Sequence, residues 1–148
     1  MQRRWYIAIL LALVCALPSL AQTTPGEEAA RQAARAFGQA LKKADASQMR
    51  PILPQRGKVQ LRLVRLGPEE GFFSSGQVEA LMRDFLKQGS VRSFDLLRTE
   101  QGPSGFGIVE ARAMVTDRDG RVARLALHLA FEPEDDRWVL REMRESEP

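Results

Sequence analysis

Two runs that alternate between apolar and polar residues, Gly107 to Thr116 and Arg121 to Glu132, meet at Asp119-Gly120. Period-two alternation marks strands with one buried face, and a short glycine-containing link marks a hairpin. The length of the link decides which residues are buried, because a one-residue slip turns every side chain over. A two-residue turn at Asp119-Gly120 pairs Arg118 with Arg121 and sets Glu110 and Arg112 on the face of Leu127 and Leu129. That buries charge. A three-residue loop, Arg118-Asp119-Gly120 with Gly120 left-handed, instead aligns Val109, Ala111, Ala113 and Val115 with Leu129, Leu127, Leu125 and Ala123. One face is then wholly apolar, and this is the predicted register. The other face carries Glu110, Arg112, Met114 and Thr116 beside His128, Ala126, Arg124 and Val122.

Other segments must cover the apolar face. Thr24-Pro25-Gly26-Glu27 is a helix start, with Thr24 as cap, Pro25 at the first helical position and Glu27 closing a capping box. Ala30, Ala33, Ala34, Phe37, Leu41 and Ala44 then fall on one stripe, predicting a helix to Ala44 whose small face lies close to a sheet. Asp45 to Lys58 reads as a connector with Pro51, Pro54 and Gly57. Val59, Leu61 and Leu63 predict a half-buried strand, and Gly67-Pro68 a turn. Ser74 and Gln77 form a second capping box before the stripe Val78, Leu81, Met82, Phe85 and Leu86, which Gly89 ends. Val91 to Thr99 is a further strand. Trp138 to Arg144 is the last, with a bulge near Arg141 or Glu142 bringing Met143 to the side of Trp138 and Leu140.

The first 21 residues read as an export signal. Arg3 and Arg4 precede an apolar run from Trp5 to Leu17, and Pro18-Ser19-Leu20-Ala21 offers small residues for cleavage before Gln22. The run of 13 residues reaches about 20 Å as a helix, short of a hydrocarbon core of about 30 Å. A cleaved leader is therefore expected over a membrane anchor. A lipid-modified Cys15 is disfavoured because Val14 precedes it and the apolar run continues. Removing 21 of 148 residues leaves 127, residues 22–148, a single domain without cysteine and so without disulfide or thiolate chemistry. Losing Arg3 and Arg4 takes the formal charge from +3 to +1. A near-neutral domain of interspersed charge carries no footprint for nucleic acid. The expected compartment is periplasmic or extracellular, with no membrane span once the leader is gone.

Helix, connector, strand, capped helix and four meandering strands is the order of the cone-shaped, cystatin-like fold of the nuclear transport factor 2-like superfamily, which this chain resembles. Within it the chain is similar to small secreted bacterial proteins of unassigned function. The resemblance covers Leu41 to Arg144 and rests on Leu41-Lys-Lys-Ala-Asp-Ala, the strand Val59 to Leu66, Gly71-Phe-Phe-Ser-Ser-Gly-Gln-Val before Asp84-Phe85-Leu86, Ser93-Phe94, and Arg137-Trp138-Val139-Leu140. It implies an α+β fold in which a curved antiparallel sheet packs on two main helices, the middle helix across its concave side and the first helix closing the cone. Phe37, Leu41, Leu81, Phe85, Leu127 and Trp138 are the expected cone lining, able to hold at most a small apolar ligand.

Some members of the superfamily are isomerases or dehydratases with a base and polar donors inside the cone. Here the one Tyr, Tyr6, lies in the leader, and the one His, His128, falls on the outward face. Asp95 has the opposite parity to Phe94 and Leu96. No catalytic agent is expected inside, nor a metal or cofactor, since one His, no mature Cys and scattered carboxylates lack ligand spacing. The glycines at 102, 105 and 107 lie between strands rather than before a helix, which argues against a phosphate cradle. His128 stands opposite Glu110, and with Ile108, Met114, Ala126 and Val122 it marks a shallow strip suited either to solvent or to a homodimer interface. Arg62, Arg112 and Arg124 read as a solvated face interleaved with carboxylates. The expected function is a non-catalytic binding or assembly module, with an isomerase or dehydratase as the alternative.

Overall fold

The computed structural model describes residues 23–66 and 70–146. The leader and the Gly67-Pro68 turn lie outside the described residues. Helix α1 (Pro25–Lys42) starts with the expected capping box between Thr24 and Glu27. It ends two residues earlier than its apolar stripe suggests. Asp45 N–H donates to the Ala40 carbonyl and Ala44 N–H to that of Leu41, a Schellman stop with Ala44 left-handed at φ 54°. The connector then forms a 3-10 helix (Ala46–Ile52) whose first turn is capped by Asp45. Sequence periodicity missed it, since a helix of two turns leaves little stripe.

Strand β1 (Val59–Arg62) is shorter than the run to Leu66 expected from the resemblance, and strand β2 (Glu70–Phe73), unforeseen, folds back on it. Helix α2 (Ser75–Gln88) carries the Ser74/Gln77 capping box. Strands β3 (Gly89–Gln101), β4 (Gly107–Asp117), β5 (Val122–Glu134) and β6 (Arg137–Ser146) follow as an antiparallel meander. The sheet order is β2-β1-β6-β5-β4-β3, with β1 and β6 its one parallel pair. The sheet is thus not purely antiparallel, because β1 reaches β6 by a long excursion rather than a hairpin.

The β4–β5 register is the predicted one. Val109 faces Leu129, Ala111 faces Leu127 and Ala113 faces Leu125, and Gly120 is left-handed at φ 78°. Asp117 holds the loop by accepting from the N–H groups of Asp119 and Arg121. Along β5–β6, Ala130 faces Glu142 while Phe131 faces Leu140, so Arg141 is the bulged residue and Met143 turns into the core.

The helices exchange the expected roles. Helix α1 crosses β3, β4, β5 and β6, whereas α2 packs mainly on the 3-10 helix and β3. The cause is side-chain size. Ala30, Ala33, Ala34, Gly38 and Ala40 are buried on α1, and only such a face lets a helix sink onto Ala111 and Ala113. Gly38 rides on Phe94, whose ring meets Phe37 edge-on with centroids 5.8 Å apart. Helix α2 is rolled, so that Val78, Met82 and Leu86 are buried with Glu79, while Leu81 and Phe85 are only half-buried. Arg50 of the 3-10 helix draws Glu79 inward through two bonds of 2.8 and 2.9 Å.

This packing makes two predictions. A methyl at Gly38 would lie 2.7 Å from Phe94 Cγ. Gly38→Ala gains about 1 kcal/mol of helix propensity but loses about 1–3 kcal/mol to overpacking. Urea unfolding should show a net loss, recovered in the Gly38→Ala/Phe94→Leu pair. Ala44→Gly, relieving the left-handed alanine, should raise stability by up to about 1 kcal/mol.

Candidate functional site

Among the described residues, the cone interior, the outer sheet face and the edge of β3 are the places where a ligand or partner could be met. The interior is hydrocarbon. Phe37, Leu41 and Leu127 are buried, joined by Val109, Leu125, Leu129, Phe131, Leu140 and Met143. Trp138 is half-buried beneath the first turn of α1, where its ring packs against Gly26 and Gly107. Of the expected lining, then, Phe37, Leu41 and Leu127 lie deep, while Leu81, Phe85 and Trp138 lie at the periphery.

The buried carboxylates among the described residues are all engaged elsewhere. Glu79 is held by Arg50 and, at 2.6 Å, by Arg83. Glu145 Oε2 accepts from the N–H groups of Val64, Arg65 and Leu66 at 2.7 to 3.2 Å. Glu134 accepts from the N–H groups of Gln55 (2.8 Å) and Arg56 (3.1 Å), and from Arg137 and Arg141. The Gln55 N–H bond is the main cause that lowers its pKa from 4.5 to about 2. These groups fasten chain segments. Among the described residues no cluster of three or more His, Cys, Asp or Glu could hold a metal ion.

On the outer face Ile108, Glu110, Met114, Ala126 and His128 stand together across β4 and β5. His128 lies between Glu110 and Arg144, and Arg144 Nη2 is 3.3 Å from its Nδ1. A guanidinium only donates, so Nδ1 accepts and Nε2 carries the proton of the neutral ring. Burial first, and then the Arg144 charge, hold the His128 pKa below the ordinary value. Arg62 pairs with Glu70, and Arg112 stands opposite Asp95, which takes the outward parity.

The third place was not foreseen. A groove of about 470 Å³ runs between α1 and β3, with Phe94, Leu96 and Leu97 as its floor and Arg31, Arg35, Arg98, Thr99 and the carboxylate of Asp95 around it. A smaller hollow of about 90 Å³ continues it over Gly38 toward Gln39 and Lys42. The signals were present in the sequence. Arg31, Arg35 and Lys42 flank the alanine stripe at helical spacing, and Leu96-Leu97 breaks the alternation of β3 where a bulge falls.

Neither a family model nor a curated protein matches the chain. Solved structures do. A nuclear transport factor 2-like protein of unknown function from Shewanella oneidensis MR-1 is 15% identical with a TM-score of 0.63, covering 81% of this chain and 98% of its own. A ketosteroid isomerase-like protein from Erwinia carotovora atroseptica is 12% identical with a TM-score of 0.63, covering 84% and 99%. A DUF4783 family protein from Bacteroides uniformis ATCC 8492 is 13% identical with a TM-score of 0.59, covering 77% and 95%. The fold is nuclear transport factor 2-like. At such identities the likeness carries the architecture and not the chemistry.

Within this nuclear transport factor 2-like frame, Glu134 is the group whose titration is most informative. Its carboxylate is ionised at a lower pH folded than unfolded, so its stabilisation is complete above about 4.5 and is lost as pH falls toward about 2. Glu134→Gln should therefore unfold at lower urea than the parent at pH 7. The gap between the two should close as pH falls from 5 to 2.

Proposed function

We propose that this chain is an exported, non-catalytic binding or assembly module that works as a homodimer. The observation that carries the reading is the hydrocarbon interior, whose surrounding carboxylates are bound to arginines and backbone N–H groups. An isomerase of this architecture needs a base aimed at its substrate. Here the ionisable side chains serve as fasteners or face outward. Among the described residues no helix is long and apolar enough to cross a membrane.

The outer face is the proposed contact between copies. Its charges are largely matched within one copy, since Arg98 pairs with Glu100, Arg144 lies 3.9 Å from Glu142 and Arg112 stands opposite Asp95. A two-fold contact there would bury little unpaired charge. Ala126 and Ala130 keep the centre shallow enough for approach.

The names of some structural neighbours favour a second reading, an enzyme of ketosteroid isomerase type. Two measurements separate the readings. The purified domain should show no ketosteroid isomerisation above buffer, and sedimentation equilibrium should give a dimer at micromolar concentration. Ala126→Glu pairs with Arg112 within one copy but meets itself near the axis, so it should give a folded monomer. Turnover sinks the module reading, and a monomeric parent sinks the dimer.

A further inference from the structure

The groove along β3 is used by neither the interior nor the outer face. Among the described residues strand β3 ends the sheet order and pairs only with β4, so alternate N–H and C=O groups point away from the sheet. Bulges at Arg92 and Leu97 bracket residues 93–96, leaving one regular stretch between two interruptions. The bulges limit pairing to a short segment, which protects a 13-residue edge from indiscriminate strand addition. Beside this stretch stands α1, and the pair of elements makes a trough walled by a helix on one side and an open strand edge on the other.

The chemistry of the trough is amphipathic. Its floor is the half-buried Phe94 and Leu96 with the exposed Leu97. Its rim sets three guanidinium groups, Arg31, Arg35 and Arg98, against one carboxylate of the groove itself, the exposed Asp95. Arg31 and Arg35 share the single carboxylate of Glu28, at 3.3 and 3.7 Å, and the Arg35 side chain is 58% exposed. Arg98 leans on Glu100 at 2.6 Å with its side chain 65% exposed, and Lys42 adds a cation at the far end. The hollow over Gly38 gives a second place for a side chain, spaced along the same wall.

We infer that this trough binds an extended acidic peptide segment, which adds a short strand to residues 93–96 and sets its carboxylates against Arg31, Arg35 and Arg98. The inference rests on the reading of the chain as a binding module and names the ligand class of that module. An open trough covers only one side of a small molecule, whereas good small-molecule sites enclose most of their ligand. A peptide strand gains its affinity from the edge hydrogen bonds and its selectivity from alternate side chains, here over the floor and the Gly38 hollow. Pairing two copies edge to edge would bring the two sets of rim arginines together, so charge disfavours self-association here.

Fluorescence anisotropy with a labelled octapeptide of alternating glutamate and leucine tests this directly. Binding should weaken as salt is added, and should fall at least about tenfold in the doubly reversed Arg35→Glu/Arg98→Glu chain, which circular dichroism should find folded. Lys58→Glu, exposed ahead of β1 at the opposite side of the sheet from β3, should leave the affinity unchanged. Hydrogen exchange at residues 93–96 should slow when the peptide is present. The peptide N-methylated at alternate residues along its pairing edge should not bind. The inference is overturned if the N-methylated peptide binds as well as its parent, if a lysine-for-glutamate peptide binds equally, or if octanoate alone competes at the same concentration. A dimer that lacks turnover and ignores the peptide overturns the trough while leaving the module reading intact; turnover overturns the module reading whatever the peptide does.

Discussion

The distance between α1 and the sheet governs the rest of the molecule. A helix faced with leucine would stand off by the length of its side chains, but Ala30, Ala33, Ala34, Gly38 and Ala40 let this one approach within contact of the strand backbone. The strands answer with Ala111 and Ala113 at the point of crossing and with glycine at Gly107, where a methyl would strike Ala30. Bulk is supplied by Phe37 and Leu41 on the same helix and by Phe131 on β5, all buried. A close helix leaves little volume beneath it, so the interior that might have housed a ligand is occupied by the packing that holds the fold together.

Burial of charge follows a second rule, that every sequestered carboxylate closes a chain segment that sheet pairing cannot reach. Glu134 ties residues 55 and 56 to the β5–β6 turn, Glu145 gathers the N–H groups of residues 64–66 onto β6, and Glu79 joins the 3-10 helix to α2. These segments form the long excursion between α1 and α2, where regular hydrogen bonding is sparse. Backbone donors left unpaired there would cost about 1–3 kcal/mol each. A carboxylate with several acceptor sites satisfies two or three of them at once.

The sequence disclosed those features whose cause is local or periodic. Both capping boxes, the three-residue loop at Gly120, the bulge at Arg141 and the pairing of Val109 with Leu129 follow from residue types at fixed spacing. What stayed hidden depends on partners far along the chain. The roll of α2 toward Glu79 needs Arg50, 29 residues away, and without it the stripe through Leu81 and Phe85 looks like the centre of the buried face. The early end of β1 and the existence of β2 depend on Glu145, 80 residues beyond Arg65, capturing the loop between them. Which helix crosses the sheet is a matter of comparative bulk, and alanine content was legible while its consequence for position was not. The trough along β3 needs two elements side by side, and no pattern on either strand or helix alone declares it.

Filling the interior changes where such a fold can act. In a cone whose walls carry polar groups, selectivity can be built inside, shielded from water. Here a ligand at the centre would have to displace Phe37, Leu127 or Phe131, and losing one large core side chain from its packing costs about 3–5 kcal/mol. Surfaces carry no such penalty. The outer sheet face and the β3 edge are therefore where the proposed contacts lie. The two bulges fit that shift: an edge left fully regular would recruit any strand, and one fully broken would recruit none. Keeping residues 93–96 regular between Arg92 and Leu97 is what a selective edge requires.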